Sequence, residues 1–481
     1  MTWTSDLARE IGGQVLTEDS ERESVATDFG RLIVRRPAAV VRPRSAEDVA
    51  QAVKFAARHA LGVATRGAGH SQTGQSLSEH IVLDMTSLDR VQRVDPPGSA
   101  QPSDRTSAAA SPEPVGTVTC QAGLKWRSLV EQLAPLGLSP PVLTNNLDVT
   151  VGGTVSSAGL GVASWRRGTQ ADHCLELEVV TGTGEIVRCS RERNRELFDS
   201  VRGGMGQFGV ITEATLGIRS HKVAFRSYYL LYDDLNVLLD DLKLLMTEER
   251  FDYLEAWCVP CPQGFKKIAR GGRQAFAQWF YPLHATIETD GNEAPDWARA
   301  DEEKLAGLRF YKHVHTESGE MREFFTRLDS LFELWKRGGF WDCAHPWMEC
   351  VLPWQSTAFY ITQVLQNLPP QALVGGHVLL WPARGDASSV PLFVRPASEF
   401  LMGFGILPAV PRHLVQEALP RLDQASNASI MMGGKRYLSG WIAFDQTQWK
   451  AHYGDLWATV LALKKKFDPK GVLNPGFVKY E

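Results

Sequence analysis

No apolar run in this 481-residue chain approaches the ~20 residues that a membrane-spanning helix requires, so such a helix is excluded and no membrane partner is expected. Positive charge is not in excess either. The 51 lysines and arginines stand against 55 aspartates and glutamates, a formal charge of −4, which provides no field for nucleic acid and no polybasic membrane patch. Cysteine is sparse and odd in number, at Cys120, Cys174, Cys189, Cys258, Cys261, Cys343 and Cys350. The opening "MTWTSDLAREIGG" lacks the basic-then-apolar layout of a secretion signal, which predicts a cytoplasmic protein without a disulfide framework. Cys258 and Cys261 form a lone CxxC with no second pair at zinc-finger spacing, so no metal site is expected and these thiols read as buried or half-buried. A small-molecule partner and a monomeric or homodimeric state are expected.

The length exceeds what one core usually serves and predicts two domains. "AAVVRP" (38–43) reads as a strand. It is followed by a helix with Ser45 placed to cap, Asp48 three residues on and Gly62 as the stop. "VAT" (63–65) and "HIVLDMTSL" (80–88) read as further strands. Residues 94–115 are Pro/Ser/Ala-rich without apolar period and read as a surface loop. "LELEVVTGTGEIVRCS" (175–190) alternates around Gly-Thr-Gly as a hairpin does. From about 220 to 435 the chain is richer in tryptophan and in long helical patterns, and "TQWKAHYGDLWATVLALKKKF" then reads as one amphipathic helix. The texture is one α+β domain, an inserted second domain and a return to the first.

Glycine is concentrated in three stretches. Gly204, Gly206 and Gly209 fit GxGxxG, but a helix precedes and a strand follows, the reverse of a dinucleotide fingerprint. In "RGAGHSQTGQS" (66–76), Gly67, Gly69 and Gly74 free the backbone to turn N–H groups into a concavity, a way to hold phosphate without lysine. "TVGGTVSSAGLG" (150–161) repeats the small, hydroxyl-rich character. A surface turn with a solvated His70 would also explain the first of these loops. Several together point to a large cofactor lying against bare backbone.

With these stretches, "PAAVVRPRSAEDVAQAV", "LTNNLDVTVGGTVSSAG", "LFDSVRGGMGQFGVITEA", "LWKRGGFWDCAHPWMECVLP" and "FDPKGVLNPG" resemble the FAD-linked oxidases of the vanillyl-alcohol oxidase type, most of all cytokinin dehydrogenases. The resemblance implies an α+β fold: a two-part PCMH-type FAD-binding domain (1–220 and 438–481) around a substrate domain (221–437) made of an antiparallel sheet flanked by helices. It implies FAD held by Gly67, Ala68, Gly69, Ser71, Gln75, Thr150, Ser156, Leu160, Ile211, Tyr437 and Asn474. His70 matches the histidine bonded to the flavin 8α carbon, a role open to a neutral, nucleophilic imidazole. Asn146 stands where some relatives carry a second, cysteinyl link, so a single covalent bond is expected.

Cytokinin dehydrogenases carry an aspartate as amine-proton acceptor where this chain has Asn145, and an amide takes no proton near neutral pH. Glu255, Tyr437, Arg384, Arg436 and Trp347 are the other candidates around the substrate: Glu255 as base, the arginines as carboxylate anchors, Tyr437 as proton donor or acceptor and Trp347 for stacking. Each also has a plain structural reading, as does His345, which reads as a satisfied structural histidine. The expected reaction is hydride abstraction by flavin from a carbon beside N, O or an aromatic ring, with oxygen or another acceptor reoxidising the flavin. Without an acid at 145, a phenol- or carboxylate-bearing metabolite undergoing decarboxylation or cyclisation is the first expectation. Cytokinin-type secondary amine oxidation and a catalytically degenerate flavin-binding protein are the alternatives.

Overall fold

The computed structural model describes residues 3–96, 116–269, 271–291 and 296–480. β1 (Gln14–Leu16), β2 (Ala39–Arg42), β3 (Val63–Arg66) and β4 (Ile81–Asp84) form a small sheet in the order β1-β2-β4-β3, parallel except at β1. The helix Ala46–His59 buries Val49, Val53 and Ala56 on one stripe and serves as the crossover that parallel pairing requires. Ser45 is its N-cap residue without a side-chain cap bond. Asp48 accepts instead from Gly12 N and Arg44 N, both at 2.8 Å, tying down the N-terminal segment. The helix stops before Gly62, at Ala60, which takes the left-handed conformation (φ 55°) expected of a C-cap.

A second, antiparallel sheet contains β5 (Val91–Asp95), β6 (Gly116–Gln121), β7 (Leu138–Ser139), β8 (Cys174–Val180), β9 (Ile186–Ser190) and β10 (Val210–Ser220). Its order is β5-β6-β10-β8-β9, with β7 beside the end of β10. The hairpin expected at 175–190 is β8 and β9. Of the loop expected at 94–115, Val94 and Asp95 belong to β5 and residues 97–115 lie outside the described residues.

The third sheet has eight strands: β11 (Ala224–Tyr232), β12 (Tyr253–Lys267), β13 (Arg273–Thr289), β14 (Lys312–Glu320), β15 (Met348–Pro353), β16 (His377–Arg384), β17 (Phe400–Leu407) and β18 (Lys435–Arg436). All pairs are antiparallel, in the order β14-β11-β13-β12-β16-β17-β15-β18. Because side chains alternate along a strand, the sheet has two distinct faces. Leu254, Ala256, Cys258, Val378, Leu380, Met402, Phe404, Met348 and Cys350 turn one way, into a core shared with the helices Leu235–Glu248, Trp354–Asn367 and Val415–Met431. The intervening residues face the other way and build the wall described below. Cys258 is buried but Cys261 is exposed, which corrects the expectation that both thiols are buried or half-buried; three residues apart on β12, they face opposite sides of the sheet.

The C-terminal segment is two helices, Gln446–Tyr453 and Trp457–Phe467, separated at Gly454 (φ 55°), where the sequence pattern suggested one. Trp449, Tyr453, Val460, Leu463 and Phe477 join the core of the second sheet, and Asn474 N donates to Val63 O at 2.8 Å. The chain end thus returns to the edge of the first sheet. The order is α+β with mainly antiparallel sheets. No helix among the described residues is long and apolar enough to cross a membrane.

Candidate active site

A cavity of about 330 Å³ lies between the glycine loops and the free face of the third sheet. Gly67, Ala68, Gly69, His70, Ser71, Gln75, Thr150, Ser156, Leu160, Ile211, Tyr437 and Asn474 all line it, as do Asn145, Asn146, Glu255 and Trp347. Gly206 and Gly209 reach it as well, in a tight turn rather than a helix start. No lysine or arginine occurs among the described lining residues, and the carboxylates are Glu255 and Glu349.

The loop after β3 is held by its neighbours. Its carbonyls at Gly69 and Ser71 accept from Phe29 N (2.8 Å) and Gly30 N (3.0 Å). The N–H groups of residues 68–72 have no acceptor among the described residues. Ser71 donates to Asp28 (3.0 Å), and Gln75 is occupied by Thr73 N (2.8 Å) and Leu438 O (3.3 Å), so these two side chains shape the loop from within. A Cβ at Gly67 would stand 2.1 Å from Thr150 Oγ1, so any larger residue would drive the two loops apart. Gln72 Oε1, Asn474 Oδ1, Trp257 Nε1 and Trp347 Nε1 are buried without a hydrogen-bond partner. Unused donors and acceptors around bare backbone are the donor set expected of a site for a dinucleotide carrying an extended ring system, and the residues fit FAD.

His70 stands in this wall, stacked on Phe29 (centroids 4.1 Å, 14° between planes), whose other face carries His345 (4.1 Å, 3°). Burial, then the neighbouring His345, holds the His70 imidazole down to about 4, so it is neutral and nucleophilic across the physiological range. His345 is likewise pushed to about 4 by burial and lies behind Phe29 rather than in the cavity wall.

The opposite wall follows from strand register. Trp257 pairs with Leu379, Leu379 with Gly405 and Gly405 with Glu349, so the four form a row across β12, β16, β17 and β15. Glu255, His377, Trp381 and Leu407 share that face. Trp381 lies across β17, where a Cβ on Gly403 would come within 1.9 Å of its Nε1. The helix Asp329–Arg337 closes the cavity with Leu328, Leu331, Phe332 and Trp335, at i, i+3, i+4 and i+7. Arg127 fastens this helix to the 144–149 loop by bonds to Asp329 (2.7 Å) and Asp148 (3.0 Å).

Asn145 and Glu255 meet. Asn145 Nδ2 donates to Glu255 Oε1 at 2.6 Å, while Arg327 Nη2 donates to Asn145 Oδ1 at 2.7 Å and stands 3.6 Å from Glu255 Oε2. Arg327 was not singled out from sequence. His284 faces Glu255 across β13, and His377 is pushed to about 4 by burial, so both are neutral acceptors or donors at neutral pH. Tyr437 is buried, and its phenol is pushed up by burial and by Glu349, which keeps it protonated.

Arg384 is a correction: it is not brought to the cavity. Three residues beyond Trp381, it falls on the opposite face of β16, where it pairs with Glu249 at 2.9 Å. Arg436 is turned away for the same reason, opposite Cys350, and spends its nitrogens on Glu349 O, Ser426 Oγ and Trp441 O. Neither arginine can anchor a ligand carboxylate here. Glu349, also missed from sequence, is buried and points inward.

An FAD binding domain family model matches residues 37–190, and one described as cytokinin dehydrogenase 1, FAD and cytokinin binding, matches residues 222–478. The chain is 29% identical over 468 residues to an uncharacterized oxidoreductase in the fasciation locus of Rhodococcoides fascians, covering 96% of this chain and 98% of that one. Cytokinin dehydrogenase 4 of Oryza sativa subsp. japonica is 30% identical over 482 residues (95% and 88%), and cytokinin dehydrogenase 1 of Arabidopsis thaliana 29% over 502 residues (98% and 83%).

Proposed function

The chain belongs to the cytokinin dehydrogenase-like family of FAD-dependent oxidoreductases, and we propose that it oxidises a secondary amine on a planar heteroaromatic base, of the isoprenoid adenine class, with Glu255 taking the amine proton. The observation that carries this reading is the Asn145–Glu255 contact, set in a cavity whose described lining holds carboxylates and no cationic side chain. Such a wall attracts N–H donors and repels carboxylates, which weighs against the carboxylate-bearing substrates that the sequence first suggested. Asn145 cannot take a proton, but its orientation is fixed by Arg327, so its amide holds Glu255 in one rotamer as the acceptor. The indoles of Trp257, Trp335 and Trp381 and the imidazole of His377 supply flat apolar faces for an aromatic ring and exclude water.

Residues 67–76, 150–161 and 205–211, with Tyr437 and Asn474, would hold the FAD, in a division of the chain at 1–220, 221–437 and 438–481. Bound FAD would supply the oxidant for the carbon beside the amine, and oxygen or another acceptor would restore it. His70 would carry the single covalent link at the 8α carbon, supported by its neutral state and its place in the wall. Protein precipitated in acid should retain the yellow colour, and full release of flavin would overturn the link. For the substrate, anaerobic holoprotein is mixed in turn with isoprenoid adenines, phenols, and hydroxy and amino acids, and the flavin absorbance followed. Bleaching by the adenines alone is expected. Bleaching by phenols or carboxylates instead would refute the amine reading, and no bleaching by any would favour a flavin-binding module without catalysis.

A further inference from the structure

Glu349 has no part in the mechanism above, yet its position is specific. It shares a strand face with Trp347 and Val351 and stands at one end of the row running through Gly405 and Leu379 to Trp257, three interstrand steps or about 14 Å from β12. Its neighbour across β17 is a glycine, so no directly opposite side chain covers it. Ser439 Oγ donates to Oε2 at 2.9 Å, and among the described residues no donor reaches Oε1. Arg436 bonds the backbone carbonyl of Glu349, at 2.8 Å, rather than the carboxylate. A cavity-lining carboxyl with one oxygen fixed and the other unclaimed is built to meet a donor that comes from outside the chain.

We propose that Glu349 Oε1 accepts a ring N–H from the molecule bound at its end of the cavity, either the ring system of the cofactor or a heteroaromatic ligand, and so makes binding there depend on the carboxylate form. Both sources present the same chemistry, a planar N–H donor. The groups facing Glu349 leave it as the one that titrates near neutrality. Tyr437 and Cys350, on either side, are pushed up by burial and stay neutral. Arg436 remains the fixed charge, with Asp423 and Tyr360 behind it on the helices Val415–Met431 and Trp354–Asn367. Burial pushes Glu349 itself up to about 7, with Ser439 and Arg436 opposing. The carboxylate therefore predominates above that pH and the neutral acid below it.

The inference rests on the flavoprotein reading, and the test separates the two. The absorbance of resting holoprotein is recorded from about pH 5.5 to 8.5, and the Kd of adenine, which lacks the oxidisable side chain and stays neutral in this range, is measured calorimetrically at both ends. If the donor is the cofactor's, the flavin spectrum shows a transition near pH 7 that E349Q abolishes and S439A moves upward, since the Ser439 hydroxyl favours the ionised form. If it is the ligand's, the spectrum is flat and adenine binds about tenfold more tightly at the higher pH in wild type only. A flat spectrum with a pH-independent Kd, or a transition that survives in E349Q, overturns the proposal. Colourless protein would sink the flavoprotein reading and leave the adenine measurement to decide the role of Glu349.

Discussion

Replacing Asn145 by aspartate restores a carboxyl at a position where this chain has an amide, and places it 2.6 Å from Glu255 Oε1, where the amide now donates. Two ionised carboxylates at that distance repel by about 6 kcal/mol at an effective dielectric of about 20. Arg327, bonded to residue 145 at 2.7 Å, is more exposed than Glu255 (23% against 5%), so at an effective dielectric of about 40 its new attraction to the added carboxylate offsets only about 3 kcal/mol of this. The remainder, about 3 to 4 kcal/mol, corresponds to an upper titration raised by between two and three pH units, with the pair sharing one proton at neutrality. A group whose folded-state pKa lies above its unfolded value loses stability as pH rises through the folded value. N145D should therefore match wild type near pH 4 and fall behind it by about 3 to 4 kcal/mol near pH 9. Urea unfolding at a series of pH values measures the difference directly. Parallel stability profiles for the two proteins would mean that residue 145 and Glu255 do not share a proton, and the assignment of Asn145 as the holder of Glu255 would fail.

Removing the charge at the other partner, in E255Q, should lower kcat/KM on the amine substrate by about 10²- to 10⁴-fold with bound flavin unchanged, as absorbance of the purified protein would report. G403A adds a Cβ where Trp381 Nε1 would be 1.9 Å away, so the indole must leave its place across β17. That overpacking should cost about 1 to 3 kcal/mol in chemical denaturation and raise KM more than it lowers kcat. Glu288 is paired with Arg219, both buried, and Arg219 together with the Lys222 N–H (3.0 Å) holds the carboxyl down to about 2. Its contribution, about 3 kcal/mol, is present above the ordinary glutamate value near 4.3 and is lost as pH falls toward 2. Acid titration of stability should show this loss in wild type and not in E288Q, which starts out less stable by about 3 to 5 kcal/mol because Arg219 is left buried and unpaired.

What was legible in the sequence was legible for local reasons. Glycine at 67, 69 and 74 advertises backbone that must come close to something, and apolar period announces Ala46–His59 and Leu235–Glu248 without help from the rest of the chain. The errors are local too: Ala60 takes a left-handed cap that the sequence offered to Gly62, and Gly454 breaks a helix whose apolar pattern continues past it. The sheet wall of the cavity is different, because its membership depends on parity and register among strands far apart in sequence. Arg384 and Trp381 stand three residues apart and face opposite sides of one sheet, which decides that the tryptophan lines the cavity and the arginine pairs with Glu249. Glu349 looks like a stray acid in "WMECVLP" until the pairing through Gly405 and Leu379 puts it in line with Trp257. Arg327 gains meaning only once the helix Asp329–Arg337 is folded over the cavity and the guanidinium meets Asn145. The glycine-loop wall of the cavity is written in residue types and the sheet wall in residue positions, so Asn145 and Glu255 could be singled out from the sequence while Arg327 and Glu349 could not.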